Sequence, residues 1–121
     1  MIKTTMNEAF NAYLTLSRIR SKVKGMDALH LFHLKNMLQE SVDFQNEEEG
    51  KLIEEAGGVI TDNGTIIIAD PEKKKAYMKA RKELAEMQTE VQTEPVKVNL
   101  ERNPDITMEE IELLQGFVEF E

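Results

Sequence analysis

The chain contains no cysteine. That excludes disulfides and thiolate-ligated metal sites, and it suits a reducing compartment. There is no tryptophan, and aromatics make up only 6% of the 121 residues. The core must therefore be aliphatic, eked out by seven methionines, whose flexible thioethers fill irregular helix-packing gaps. No apolar run approaches the roughly 20 residues of a membrane span, and Met1 to Glu8 lack the apolar core of a secretory signal. The expected location is the cytoplasm, with no membrane partner. Signs of catalysis are missing as well. Ser17, Ser21 and Ser41 sit in no nucleophile-elbow context. The six glycines form no phosphate-binding loop, and no carboxylate is embedded in apolar sequence that would tune it for acid–base work. The chain reads as a non-enzyme that requires no cofactor.

What is present is helical periodicity in a length that fits one domain, residues 1–121. Thr5 and Glu8 match a capping box, and Ala9, Ala12, Leu16, Ile19 and Val23 recur at helical spacing. This predicts a first helix from Met6 to Val23. Gly25 breaks the pattern, and Asp27 is the expected N-cap of a second helix. Its apolar face runs through Leu31, Leu34, Leu38, Val42, Leu52, Ile53 and Ala56, to end at Gly57-Gly58. Unbroken, that helix spans roughly 45 Å, with Gly50 as a possible bend. Val59 to Ile68 reads as a β-hairpin around Asn63-Gly64. Asp70-Pro71 opens a third helix, whose stripe is Tyr77, Ala80, Leu84, Met87 and Val91. Val96 to Leu100 alternates like a short strand. Thr107 and Glu110 form a second capping box, before a short helix from Met108 to Gln115 and an apolar tail, Phe117 to Phe120. The expected fold is α+β and predominantly α: a helical bundle with a long central helix, a small hairpin and one further strand. A helix this long and a hairpin this small predict a homo-oligomer, most simply a dimeric bundle.

The net charge is −8, which disfavours long nucleic acid and anionic membranes. The charge is segregated. Arg18 to Lys35 carries a net +4, Glu40 to Glu55 a net −6, Lys73 to Lys82 six bases with no acid, and Glu101 to Glu121 a net −6. The second basic block is expected to lie beside the acidic half of the long helix and set its register. The first has no evident partner. It combines Arg18 and Arg20, which suit phosphate oxygens, with Lys22, Lys24, His30, His33 and the free N–H groups of a helix start. Tyr13 adds a ring for stacking. These seven are the candidate ligand-binding residues, for a small phosphorylated or nucleotide-derived ligand. Lys22 and Lys24 also suit the C-terminal end of a helix dipole without any ligand. His30 and His33 alone fall short of a metal site, as does the acidic run Glu47 to Glu49.

Several segments recur together in one known layout. They are Asn7 to Ile19 with the basic stretch behind it, "KLIEEAGG" from Lys51 to Gly58, the "DNG" turn, and "KELAEMQTEV" from Lys82 to Val91. The alternating Val96 to Leu100 and "LLQGFVEF" from Leu113 to Phe120 complete it. In this order the chain resembles a widespread family of small tailed-phage proteins of unassigned function. The resemblance covers most of the chain and implies a phage origin and a non-enzymatic accessory role in the host cytoplasm. The family supplies no functional residues. Two roles are expected. One is a sponge that sequesters a host immune signal through the Arg18–His33 corner. The alternative is a virion-assembly or tail or head accessory protein, working through charged helical surfaces. A nucleic-acid mimic that inhibits a host enzyme fits less well, because basic blocks interrupt the acids.

Overall fold

A computed structural model describes all residues, Met1–Glu121. The order is β1 (Ile2–Thr5), α1 (Met6–Ile19), α2 (Gly25–Glu55), β2 (Val59–Ile60), β3 (Ile66–Ile67) and α3 (Pro71–Glu86). Then follow β4 (Gln88–Val91), β5 (Val96–Val98), α4 (Met108–Leu113) and β6 (Val118–Phe120). The protein is α+β and predominantly α. Its strands form three separate two-stranded ladders. β1 pairs antiparallel with β4, from Ile2 opposite Val91 to Thr5 opposite Gln88. β2 and β3 form the hairpin. β5 and β6 run parallel, with Val96 opposite Val118.

The main core lies where α1 crosses the first half of α2. Ala9 and Ala12 are fully buried, and their small side chains let the helices approach closely. Ile19, Leu34 and Leu38 fill the centre, with Val91, Val98, Leu114, Phe117 and Val118 closing it from the strand side. Full burial of each large aliphatic contributes about 1.5–3 kcal/mol. A satellite cluster of Ala56, Ile68 and Tyr77 sits at the far end of α2.

Local chemistry explains the helix limits, and several differ from the sequence expectation. At the start of α1 the Thr5 hydroxyl accepts the Glu8 N–H at 3.2 Å. Glu8 accepts from the Thr4 hydroxyl instead of closing the box. That helix stops at Ile19, before Val23. Asp27 is not the cap of α2. It lies in the first turn, buried, and its carboxylate accepts the Asn103 side-chain amide at 2.8 Å and the Asn99 N–H at 3.3 Å. The cap position is Lys24, whose N–H donates to Asn103 Oδ1 at 3.2 Å. Helix α2 passes through Gly50 unbroken. It ends in a Schellman arrangement: Gly57, at φ +66, donates to the Glu54 carbonyl, and Gly58 donates to that of Ile53.

The hairpin turn is wider than an Asn-Gly two-residue loop. The Thr61 N–H donates to the Thr65 carbonyl and the Gly64 N–H to that of Thr61. Only Gly64 has positive φ, which is the three-residue turn with a glycine bulge. Helix α3 starts as expected, with Asp70 capping Glu72 and Lys73. It ends at Glu86, because Met87 becomes extended and its carbonyl accepts the Met6 N–H. Val91 therefore belongs to β4. The Thr107–Glu110 capping box of α4 is complete, although that helix stops at Leu113. The tail Phe117 to Phe120 docks as β6. Along its length α2 meets α1 and β5, then β4, then α3. Its length alone thus no longer argues for an oligomer, since the chain covers one side of it unaided.

Candidate functional site

The corner between the end of α1 and the start of α2 holds a groove of about 370 Å³. Two forces shape it. The core stripe of α2 faces α1 through Leu31 and Leu34. The flank one step around the helix, Ala28, Phe32 and Lys35, then forms a wall against Leu16 and Arg20 of the α1 end, with Val23 and Gly25 at the base. Six of the nine lining residues are hydrophobic. The two charged ones, Arg20 and Lys35, are both cations. On a chain of net charge −8, a groove lined by cations and no acid is a marked local inversion. Phe32 is 62% exposed and Leu29 58%, and both line the same groove wall, so they form a contiguous apolar patch, which carries more meaning than scattered exposed residues.

Lys35 is held in place. Its ammonium lies 5.2 Å from the centre of the Tyr13 ring, and the Tyr13 hydroxyl donates to Gln39 at 2.8 Å. Tyr13 thus joins the two helices and steadies the cation. At the base of the groove, Gly25 has φ +66, and α2 begins with no side-chain cap. The first-turn N–H groups and the positive end of the helix dipole are therefore open to an anion. The carboxylate of Asp27, in that same turn, is turned away into the loop bearing Asn99 and Asn103.

The seven sequence-derived candidates do not converge. Arg20 alone lines the groove. Tyr13 is half-buried, hydrogen-bonded to Gln39 and covered on one face by Lys35, and it does not line the groove. Arg18 is exposed and two residues from Arg20, so on a helix the two point about 160° apart and cannot grip one phosphate. Lys22 has a partner after all: its ammonium lies 2.9 Å from Glu110. Glu110 is pushed up by burial, but the Lys22 hydrogen bond and those from Thr107 outweigh this and hold its carboxyl below the usual range. Lys24 is exposed and flanks the groove only through its neighbour Gly25. His30 and His33 are exposed and outside the groove. Helical spacing turns His30 to the flank opposite Phe32 and His33 to the outer side. No group of three or more His, Asp or Glu residues is placed to hold a metal ion.

A second cleft, of about 380 Å³, lies between α1, α2 and α3. It is polar, walled by Asn7, Asn11, Gln45 and Asn46. Its Arg81 is already paired with Glu49 at 3.1 Å, which leaves only Lys82 to attract an anion. Arg81 is also the one base of the Lys73–Lys82 block that pairs with α2. The register of α3 thus rests on one ion pair, the Tyr77 hydroxyl on Glu49 and the satellite cluster. No helix is long and apolar enough to cross a membrane.

Sequence reasoning missed Leu29, Phe32 and Lys35. A signal existed: Leu29 and Phe32 are large apolar residues off the Leu31–Leu34–Leu38 stripe, three apart, with Lys35 three further on. Comparison of the chain with protein families, curated proteins and solved structures finds no match.

Proposed function

We propose that the chain is a non-enzymatic binding protein that captures a small phosphorylated, nucleotide-derived ligand in the α1–α2 groove. The observation that carries this reading is the pairing of an apolar wall with two cations and an uncapped helix start. A nucleotide has the matching halves, a flat ring for Phe32 and Leu29 and phosphates for Arg20, Lys35 and the α2 N–H groups. The volume falls within the roughly 300–1,000 Å³ of small-molecule sites. The resemblance to tailed-phage accessory proteins supports a role inside an infected cell, as a sponge that withdraws a host antiviral signal. Capture without turnover suits a site that offers no nucleophile and no general base.

A thermal-shift panel of mononucleotides, cyclic dinucleotides and ADP-ribose derivatives tests this. At least one should raise the melting temperature of the wild type. Arg20→Ala should weaken it about 10- to 100-fold, the loss of one charge-assisted hydrogen bond. A panel without any shift would count against the reading. One observation favours a second role, the virion-assembly one: Lys75, Lys79 and Lys82, which share one face of α3 at helical spacing, form no ion pair within the chain. A free basic helical face of this kind suits an acidic protein partner, and co-purification with phage structural proteins would separate the two.

A further inference from the structure

The far end of α2 carries apolar surface that the chain leaves uncovered. Val59 and Ile67 stand opposite one another across the hairpin, and both are more than half exposed. Ile66 and Ile68 turn inward onto the satellite cluster, so alternation puts Val59 and Ile67 on the outer face. Beneath them lie only three buried residues. A two-stranded hairpin on so small a base is marginal in water, and both of its edges are unpaired, the condition that invites another strand or sheet face.

The charges around this patch are also unresolved. Glu54 and Glu55 sit in the last turn of α2, where no base accompanies them, against the negative end of their own helix dipole. Lys73, Lys74 and Lys75 follow Glu72 at the start of α3, near a positive end. None of the five forms an ion pair within the chain. Glu55 and Lys73 line one shallow groove between the helices without closing on each other.

We infer that this end of the molecule is the contact between two copies of the chain. Val59 and Ile67 of each copy pack on the same pair of the other. Glu54 and Glu55 of each lie against Lys73 and Lys74 of the other. A two-fold contact requires a self-complementary surface, and an apolar centre flanked by both signs of charge is one. A uniformly acidic or basic foreign partner would satisfy only half of those charges. Stable contacts bury about 800 Å² per partner, more than two side chains provide, so the contact takes in both helix ends. The ligand groove lies roughly 30 Å away along α2, and dimerisation neither uses nor blocks it.

Sedimentation velocity on the full chain across the micromolar range is the test. The wild type is expected to dimerise, and Val59→Lys with Ile67→Lys to weaken the dimer at least about tenfold, with an unchanged helical circular-dichroism spectrum. Should that double variant lose its helical signal, exposed charges decide the matter. Glu54→Lys with Glu55→Lys should weaken the dimer, and adding Lys73→Glu with Lys74→Glu should restore it. A wild type that stays monomeric overturns the inference. So does a dimer indifferent to the lysine substitutions in the hairpin, or one that charge reversal leaves intact.

Discussion

Asn103→Asp should damage this protein in a pH-dependent way. Asn103 is almost completely buried and ties the start of α2 to the loop after β5. Its amide donates to Asp27 at 2.8 Å and to the Asn99 carbonyl at 2.8 Å, and its oxygen accepts the Lys24 N–H. The substitution is nearly isosteric but places a second carboxylate against Asp27. At 2.8 Å two unit charges repel by about 6 kcal/mol, even at an effective dielectric of 20. The exposed Arg102, 3.6 Å from Asp27, offsets little of that. The pair escapes by keeping one proton, which costs about 4 kcal/mol at pH 7 for a carboxyl of ordinary pKa 3.9. That proton restores the bond to Asp27. The lost bond to Asn99 adds about 1 kcal/mol.

The shared proton raises the folded-state pKa, so the folded form holds more protons than the unfolded form, and stability must fall as pH rises. The cost should grow by about 1.4 kcal/mol per pH unit, from about 2.5 kcal/mol at pH 5 to about 5 at pH 7. At about 2.1 cal/mol/K per residue, the pH 7 loss lowers the melting temperature by roughly 15–20 °C. Urea unfolding of wild type and variant at pH 5, 6 and 7 measures it. Asn103→Ala, which adds no charge of its own, should show a much flatter pH dependence. A loss below about 1 kcal/mol, or one equal at all three pH values, would refute the clamp between Asp27 and Asn103.

Two other perturbations probe the ends of the fold. Glu110 titrates below the usual range, so its contribution is present at neutral pH and is lost as pH falls below about 4. Glu110→Gln should keep the capping box, cost about 0.5–1 kcal/mol at pH 7, and flatten the acid limb of a stability–pH curve. At Gly58 a Cβ would meet Ile53 Cγ2 at 2.8 Å and the Ile53 carbonyl at 3.2 Å. Gly58→Ala should thus cost about 1–3 kcal/mol and loosen the hairpin first, visible as faster amide exchange at Ile60 and Ile66.

The helices were legible in the sequence because their stripes are long and their caps use standard chemistry. Thr107 with Glu110 and Asp70 with Pro71 act where the spacing places them. The strands were less so. Gln88 to Val91 spans four residues, too few for a period-two signal, and Val91 falls one helical turn after Met87. What makes it a strand is pairing with Ile2 at the other end of the chain, which no local window contains. The apolar composition of the tail shows that it docks, but its parallel pairing with Val96 to Val98 is non-local in the same way. Local sequence marks Asp27 as a cap because its partners, Asn99 and Asn103, lie more than 70 residues away. In the site, the separation of Arg18 from Arg20 was implicit in their spacing. The contribution of Lys35 needed the fold, since it depends on Tyr13 of the neighbouring helix.

The most direct test of the groove is native mass spectrometry of the protein purified from phage-infected cells, beside a variant carrying Arg20→Ala and Lys35→Ala. Arg20 is exposed and Lys35 half-buried, and an unchanged circular-dichroism spectrum checks that the variant folds. The wild type should retain a small phosphorylated molecule that the variant has lost. A wild type that carries nothing, or a molecule held equally by both proteins, would contradict ligand capture at this corner.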